Sequence, residues 1–366
     1  MSTVRGVART LTWMLVAFQA AQGGWPLRLE PFMRSYWVID YSQGFVRRGL
    51  AGELVDLLPG ATSSPQIVAA VWFTTLASLA AIIGLIVLLQ RRGHDALALL
   101  LAASPFIIDQ LSQNRRPDQW GVVILVLAGL MVAQRWRGAR WWGALAGLGV
   151  MQAALTLIHE ASLFLTAVWV FPLIMSRTDL SRRARWGSVV AFVAPSVAPA
   201  VAVLRHGRAS AEQMSGLADR AVTLGLLTPD EAASTMISYL NQTVADSAAM
   251  VAGFTTTRIL MVVLWAAIMV AVHLIWLRPV DIPWWSLIPV ALGTAVVFAT
   301  SLDWPRWTTM AGTCLLVVAG SLALPRPPRP VEVWMLPLAV YLATRAALLP
   351  NATPATWVSW LQYWVS

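Results

Sequence analysis

The residues with chemistry to offer gather in a few short clusters of an otherwise apolar chain. Asp40 precedes Arg47 and Arg48 in the run Asp40-Tyr41-Ser42-Gln43-Gly44-Phe45-Val46-Arg47-Arg48-Gly49-Leu50. A carboxylate near lipid is costly unless it is paired or used, and an arginine fork suits a phosphate better than a random anchor. Asp40 is thus a candidate base and Arg47 and Arg48 are candidate phosphate ligands. The plainer alternative is that both arginines snorkel to lipid headgroups. A second cluster, Gln113-Asn114-Arg115-Arg116-Pro117-Asp118, sets Asp118 near a helix start, where proline and a carboxylate are favoured in any case. Capping accounts for Asp118 alone as well as a second acid does, but it does not account for Arg115 and Arg116. His159-Glu160 joins two apolar runs and is either a hydrogen-bonded junction or a group that handles a substrate hydroxyl. In Asp303-Trp304-Pro305-Arg306-Trp307, Asp303 and Arg306 are spaced for a weak surface pair, and the tryptophans suit an interfacial belt. Arg306 is also a candidate phosphate ligand.

Those clusters need a scaffold, and composition names its class. The chain of 366 residues is 58% hydrophobic and 12% charged, with a mean hydropathy of +0.67. That is more apolar surface than a soluble core can bury, so an all-α, polytopic transmembrane bundle is expected, as a single membrane domain over residues 1–366. A hydrocarbon core about 30 Å thick takes roughly 20 apolar residues per helix. The apolar runs predict about eleven helices, at 10–26, 66–90, 95–111, 120–134, 141–158, 162–176, 186–204, 258–277, 284–300, 308–324 and 331–349. The first is expected to be a retained helix and not a cleaved signal.

Charge then orients the bundle. The net charge is +9, yet Arg91, Arg92, Arg135, Arg137, Arg140, Arg177, Arg182, Arg183, Arg185, Arg278, Arg326 and Arg329 fall on loops of one parity. This is the positive-inside pattern and not a nucleic-acid surface. Arg5 and Arg9 put the amino terminus on the same, cytoplasmic side, and the odd helix count puts the carboxyl terminus outside. Every cluster described above then lies on the opposite, extracytoplasmic face of a bacterial inner membrane. Cys314 stands alone in an apolar run, so there is no disulfide framework. The four histidines lack the spacing of a zinc site.

Two outer segments stand apart from the spans. Residues 27–65 hold the first cluster, and apolar positions at Val46, Leu50, Leu54, Leu57 and Leu58 predict an amphipathic interfacial helix over 45–58. On such a helix only one of Arg47 and Arg48 would face a site, because neighbours diverge by about 100°. Residues 205–257 are polar, with helical stretches at 210–226 and 229–240, and suit a lid over a membrane cavity. Together these features fit transfer from a lipid-phosphate donor, in which arginines at headgroup depth stabilise the leaving phosphate and a carboxylate takes the proton of the attacking hydroxyl. No cofactor is required; a divalent metal stays open.

An acidic residue directly after the first helix, juxtamembrane amphipathic helices, short middle helices and a second acid in the next outer loop resemble the GT-C superfamily of integral-membrane glycosyltransferases. The run from Asp40 to Leu50 is also similar to a signature of uncharacterised bacterial multi-spanning proteins. The resemblance implies that Asp40 is the first-loop catalytic acid and Asp118 the second acidic position. It further implies a polyprenyl-phosphate sugar as donor and a cell-envelope glycan or lipid as acceptor. Many members carry a soluble domain after the helices, which this chain of 366 residues does not show, and this leaves a glycan-polymerase role open. The rival class is a transporter or flippase for an anionic solute or glycolipid, with Pro105, Pro195, Pro199 and Pro289 breaking helices around a path. A structural subunit of an envelope-assembly complex would leave the carboxylates without a use.

Overall fold

The computed structural model describes residues 2–23, 31–59, 62–112, 116–253, 284–300, 304–328 and 330–347, with isolated positions between 256 and 276. Among these residues every regular element is helical. Three of the described helices are long and apolar enough to cross a membrane: α4 (Ser64–Arg91), α8 (Gly138–Ile158) and α10 (Arg182–His206). At 1.5 Å per residue the 28 residues of α4 reach about 42 Å, more than a hydrocarbon core needs. Pro117–Ala133, Leu163–Met175 and Trp285–Thr300 are shorter apolar helices. The expectation of a helical bundle with several short members is met among the described residues, where shorter and interrupted apolar helices accompany the three long ones. The predicted helix over 258–277 falls mostly outside the described residues.

Local chemistry explains the interruptions. The run predicted as one helix over 95–111 is two, α5 (Asp95–Ala103) and α6 (Pro105–Ser112). Pro105 pushes the residue before it out of the helical region, and Ser104 is extended at ψ 125°. Pro195 and Pro199 behave differently and sit inside an unbroken α10, while Pro289 is the second residue of the helix Ile288–Thr300. Of the four prolines proposed as breakers, one interrupts a described helix in mid-run.

α8 and α10 pack along each other, α5 lies against α1 (Ser2–Gly23) and α4, and the helix Trp304–Ala323 packs on α6 and on α7 (Trp120–Ala133). Close approach in the last pair depends on glycine. A Cβ at Gly312 would strike the ring of Phe106, and one at Gly129 would strike Ser321. At one end of the bundle Asp95 receives Arg9 at 2.6 Å and also Arg5, and Gly93 lies beside Arg5 and Pro328. The amino terminus, the α4–α5 turn and the proline-rich turn thus share one end, as arginine parity requires.

The opposite end carries the polar clusters. Here the predicted helix over 45–58 shrinks to α3 (Leu50–Asp56). Gly44 and Arg48 both have positive φ, 93° and 68°, so the chain through Phe45–Gly49 turns instead of coiling. Residues 207–253 form short helices, α11 (Ala211–Thr223), α12 (Pro229–Ala233) and α13 (Val244–Ala252), joined by a 3-10 turn at Met236–Tyr239. Each begins with a capping box, from Ser210, Thr228 and Thr243 respectively. These boxes satisfy the free N–H groups that so short a helix otherwise exposes.

Candidate functional site

A cavity of about 570 Å³ opens at this end, lined among others by Phe32, Tyr36, Arg47, Arg48, Arg116, His159, Glu160 and Arg306. Its other wall is apolar, from Leu163, Phe164, Ala200, Leu204, Val296 and Val297. Four guanidinium groups from three separate chain segments share the cavity with one lining carboxylate.

Each polar residue arrives by a distinct local device. Arg48 is held by the positive-φ turn, an uncommon conformation for a side-chain-bearing residue and one that recurs where geometry serves a site. Its guanidinium grips Glu160 as a fork, Nη2 to Oε1 at 2.7 Å and Nε to Oε2 at 3.2 Å. Arg47 lies 3.9 Å from the same carboxylate and donates to the Tyr239 carbonyl of the 207–253 segment. Its Nε is buried with no hydrogen-bond partner. Both arginines therefore line the cavity; the expectation that only one would do so assumed a helix where there is a turn. Arg116 is the extended residue before the 3-10 turn Pro117–Gln119, and its guanidinium lies over the Tyr36 ring at 4.8 Å and the Phe32 ring at 5.4 Å.

His159 ends α8 in an extended conformation, which turns the chain so that it and Glu160 face the cavity. The wide π turn Leu163–Ala167 follows, a form that concentrates at functional sites. His159 Nε2 is 3.0 Å from Arg306 Nη2. A guanidinium only donates, so Nε2 is the acceptor in this contact, while Nδ1 lies 3.4 Å from the Ala161 N–H and 3.9 Å from Glu160 Oε2. Burial, with Arg48, Arg116 and Arg47 close by, pushes the His159 pKa down to about 3. Burial alone would raise the Glu160 carboxyl, but Arg48, His159 and Arg47 override it and hold Glu160 well below the usual range.

A pH dependence follows from His159. The unfolded chain takes up a proton near the usual histidine value of 6.5 and the folded chain only near 3, so between these values the unfolded state binds more protons. Stability is therefore full above pH 6.5 and is lost as pH falls, by about 2 kcal/mol at pH 5. Thermal melts in detergent from pH 8 to pH 5 should show the decline, and His159→Gln should flatten it.

Arg306 departs from expectation in its setting. The run from Trp304 onward is the start of the helix Trp304–Ala323 and not a tight turn, because proline is well placed in a first helical turn. Arg306 points to His159 and lies 3.9 Å from Asp118. Trp307, expected in an interfacial belt, is buried at 2% exposure with its ring edge-on to His159. Asp118 is buried in the 3-10 turn that leads α7, one layer behind Arg306, and does not line the cavity. Arg115 and Asp303 lie outside the described residues.

Asp40 does not reach the cavity. It is fully buried, accepts from Ser42 Oγ at 2.6 Å and Ser42 N at 3.0 Å, and pairs with Arg220 of α11. Arg220 also donates to both oxygens of Asp56, at 2.9 and 2.8 Å. Burial raises the Asp40 carboxyl against the opposing pull of Ser42 and Arg220. Of Asp40, Asp118 and Arg306, Arg306 alone lines the cavity. Asp40 instead ties the first loop to the 207–253 segment, assisted by Arg47 N to the Gly207 carbonyl at 2.8 Å and Met236 N to Ser35 Oγ at 3.1 Å.

Tyr36, Phe32, Tyr239, Asp56 and Arg220 were not singled out from sequence. Tyr36 directly precedes the Asp40 run and had a local signal; Arg220 did not, because its partners are 164 and 180 positions away. Among the described residues no three His, Cys, Asp or Glu side chains gather to hold a metal ion.

A family model described as uncharacterised membrane protein Rv1490 matches residues 7–242. The chain is 33% identical over 132 residues to the uncharacterized protein Rv1490 of Mycobacterium tuberculosis (strain ATCC 25618 / H37Rv) and to the uncharacterized protein Mb1527 of Mycobacterium bovis (strain ATCC BAA-935 / AF2122/97). Each of these matches covers 34% of this chain and 30% of the relative, so the chain aligns with less than a third of their length. No solved structure gives a significant match. The family match takes in Arg47, Arg48, Arg116, His159 and Glu160 and stops short of Arg306. With that span, more than half of its length, the chain belongs to the Rv1490 family of membrane proteins.

Proposed function

We propose that this protein is a membrane glycosyltransferase of the GT-C type that moves a sugar from a polyprenyl-phosphate donor to a cell-envelope glycan or lipid on the extracytoplasmic face. The observation that carries the reading is the pairing of four guanidinium groups with an apolar wall in one cavity. That pairing suits an amphiphile with an anionic head: the arginines take the phosphate and the wall takes the first isoprene units. In the reaction the acceptor hydroxyl oxygen attacks the anomeric carbon, the bond from that carbon to the phosphate oxygen breaks, and the electron pair stays on the phosphate. Charge develops where the guanidinium groups already stand, which is the most effective place for electrostatic stabilisation.

Arg306 is well placed for this, since it lines the cavity with His159 Nε2 3.0 Å from its Nη2 and the Asp118 carboxylate behind it at 3.9 Å. Purified wild type should transfer sugar from at least one of a panel of polyprenyl-phosphate sugars, and Arg306→Met should lower the rate by about 10²-fold. Absence of transfer from every donor, together with donor-dependent flux in liposomes, would replace this reading with a lipid or solute transporter.

A further inference from the structure

We infer that Glu160 is the resident counter-anion of the phosphate site, displaced from Arg48 when the donor binds, and that once released it takes the proton of the acceptor hydroxyl. The inference rests on the glycosyl-transfer reading and deepens it, since the base is placed on a residue other than Asp40 or Asp118.

Three features support it. Among the described residues Glu160 is the one carboxylate that lines the cavity; Asp118 is one layer behind Arg306 and Asp40 is sealed under Arg220. The two-bond fork between Glu160 and Arg48 is the geometry a phosphate would claim, with Arg47 at 3.9 Å and its buried Nε lacking an acceptor. An arginine in the left-handed region is held there by the surrounding turn, so Arg48 stays in place while its partner is exchanged.

A phosphate bridging Arg47, Arg48 and Arg116 then does two things. It takes the hydrogen bonds that Glu160 held, and it sets a second negative charge beside the freed carboxylate. Both changes make Glu160 more basic, at the moment when a donor is bound and a base is useful. The acceptor proton passes to a Glu160 oxygen, the new bond to the anomeric carbon forms, and the phosphate leaves with the electron pair. When polyprenyl phosphate departs, Glu160 gives the proton to water and closes again on Arg48. His159, whose Nδ1 lies 3.9 Å from Glu160 Oε2, is a positioning residue for the released carboxylate.

The test separates binding from turnover. Glu160→Gln keeps the shape and removes the charge, so it should bind sugar-free polyprenyl phosphate about tenfold more tightly than wild type and transfer sugar about 10²-fold more slowly in single turnover. Glu160→Asp keeps the charge and should restore wild-type affinity, which shows that the first effect is not a change of fold. Unchanged or weaker binding by Glu160→Gln overturns the counter-anion role, and unchanged turnover overturns the role as base. Inorganic pyrophosphate distinguishes the two levels of the reading. If it binds more tightly to Glu160→Gln while polyprenyl phosphate binds neither protein, the counter-anion stands and the lipid-donor reading falls.

Discussion

Arg48→Leu should lower sugar transfer by about 10³-fold and at the same time destabilise the folded protein by about 3–5 kcal/mol. The first figure is the cost of removing one well-placed donor to developing charge. The second comes from Glu160, which loses its two-bond partner and keeps only the more distant Arg47, at 3.9 Å, as a neighbouring cation. The two losses have different remedies. In Arg48→Leu/Glu160→Leu the orphaned charge is gone and apolar groups of similar volume replace the pair, a change that is often neutral or stabilising for buried ion pairs. The double variant should therefore regain most of the melting temperature and none of the transfer. Arg48→Lys tests the fork itself: the charge remains, the planar two-point contact does not, and transfer should fall between wild type and the leucine variant. The backbone penalty of the left-handed position at φ 68° is common to arginine, lysine and leucine, so it cancels from these comparisons. Thermal melts in detergent read the stability, and single-turnover assays with a polyprenyl-phosphate sugar read the chemistry. Equal recovery of both properties in the double variant would show that Arg48 serves only the fold.

The cavity's cationic half was legible in the chain because topology left it unexplained. Most arginines fall on loops of one parity, as the positive-inside rule expects, whereas Arg47, Arg48, Arg116 and Arg306 do not, and the structure brings these four into one cavity. Helix positions were legible for the usual reason, that long apolar runs have few alternatives in a membrane. The breaks were less so. Hydropathy does not register that Pro105 ends one helix, that Arg48 stands in a turn, or that α8 gives way to a π turn after His159 and Glu160, since each depends on backbone angles at one or two residues. Partners distant in sequence were illegible altogether. Asp40 looked like the base because nothing near it in the chain offers a cation inside its burial shell. Arg220 does so from 180 positions away, on a short helix whose docking is decided by the whole fold.

Arg220→Met should release the 207–253 segment from the first loop and cost about 3 kcal/mol of stability. One guanidinium serves two carboxylates here: Asp40, with no exposed surface, and Asp56, with about a quarter exposed. Removal leaves both without their cation, and breaking a buried pair from one side is the costly direction. Asp40, whose carboxyl burial already raises, can relieve its share by taking a proton; Asp56, held below the usual range by Thr62 and Arg220 despite its burial, cannot do so as readily. The segment should then be cut by limited proteolysis near Gly207 or in the turn after α11 faster than in wild type. Asp40→Asn gives the complementary result. An asparagine oxygen still accepts from Ser42, but its amide group sets a donor against the donors of Arg220, so the variant should lose stability and keep transfer within about tenfold of wild type at a temperature where it is folded. A catalytic Asp40 would produce the reverse pattern, with the melting temperature unchanged and transfer lost by 10²-fold or more. The geometry favours the anchor. An atom sealed beneath Arg220 has no path to an acceptor hydroxyl, while Glu160 lines the cavity where that hydroxyl must arrive, and a docked 207–253 segment is what brings Tyr239 and Met236 into the lining of the same cavity.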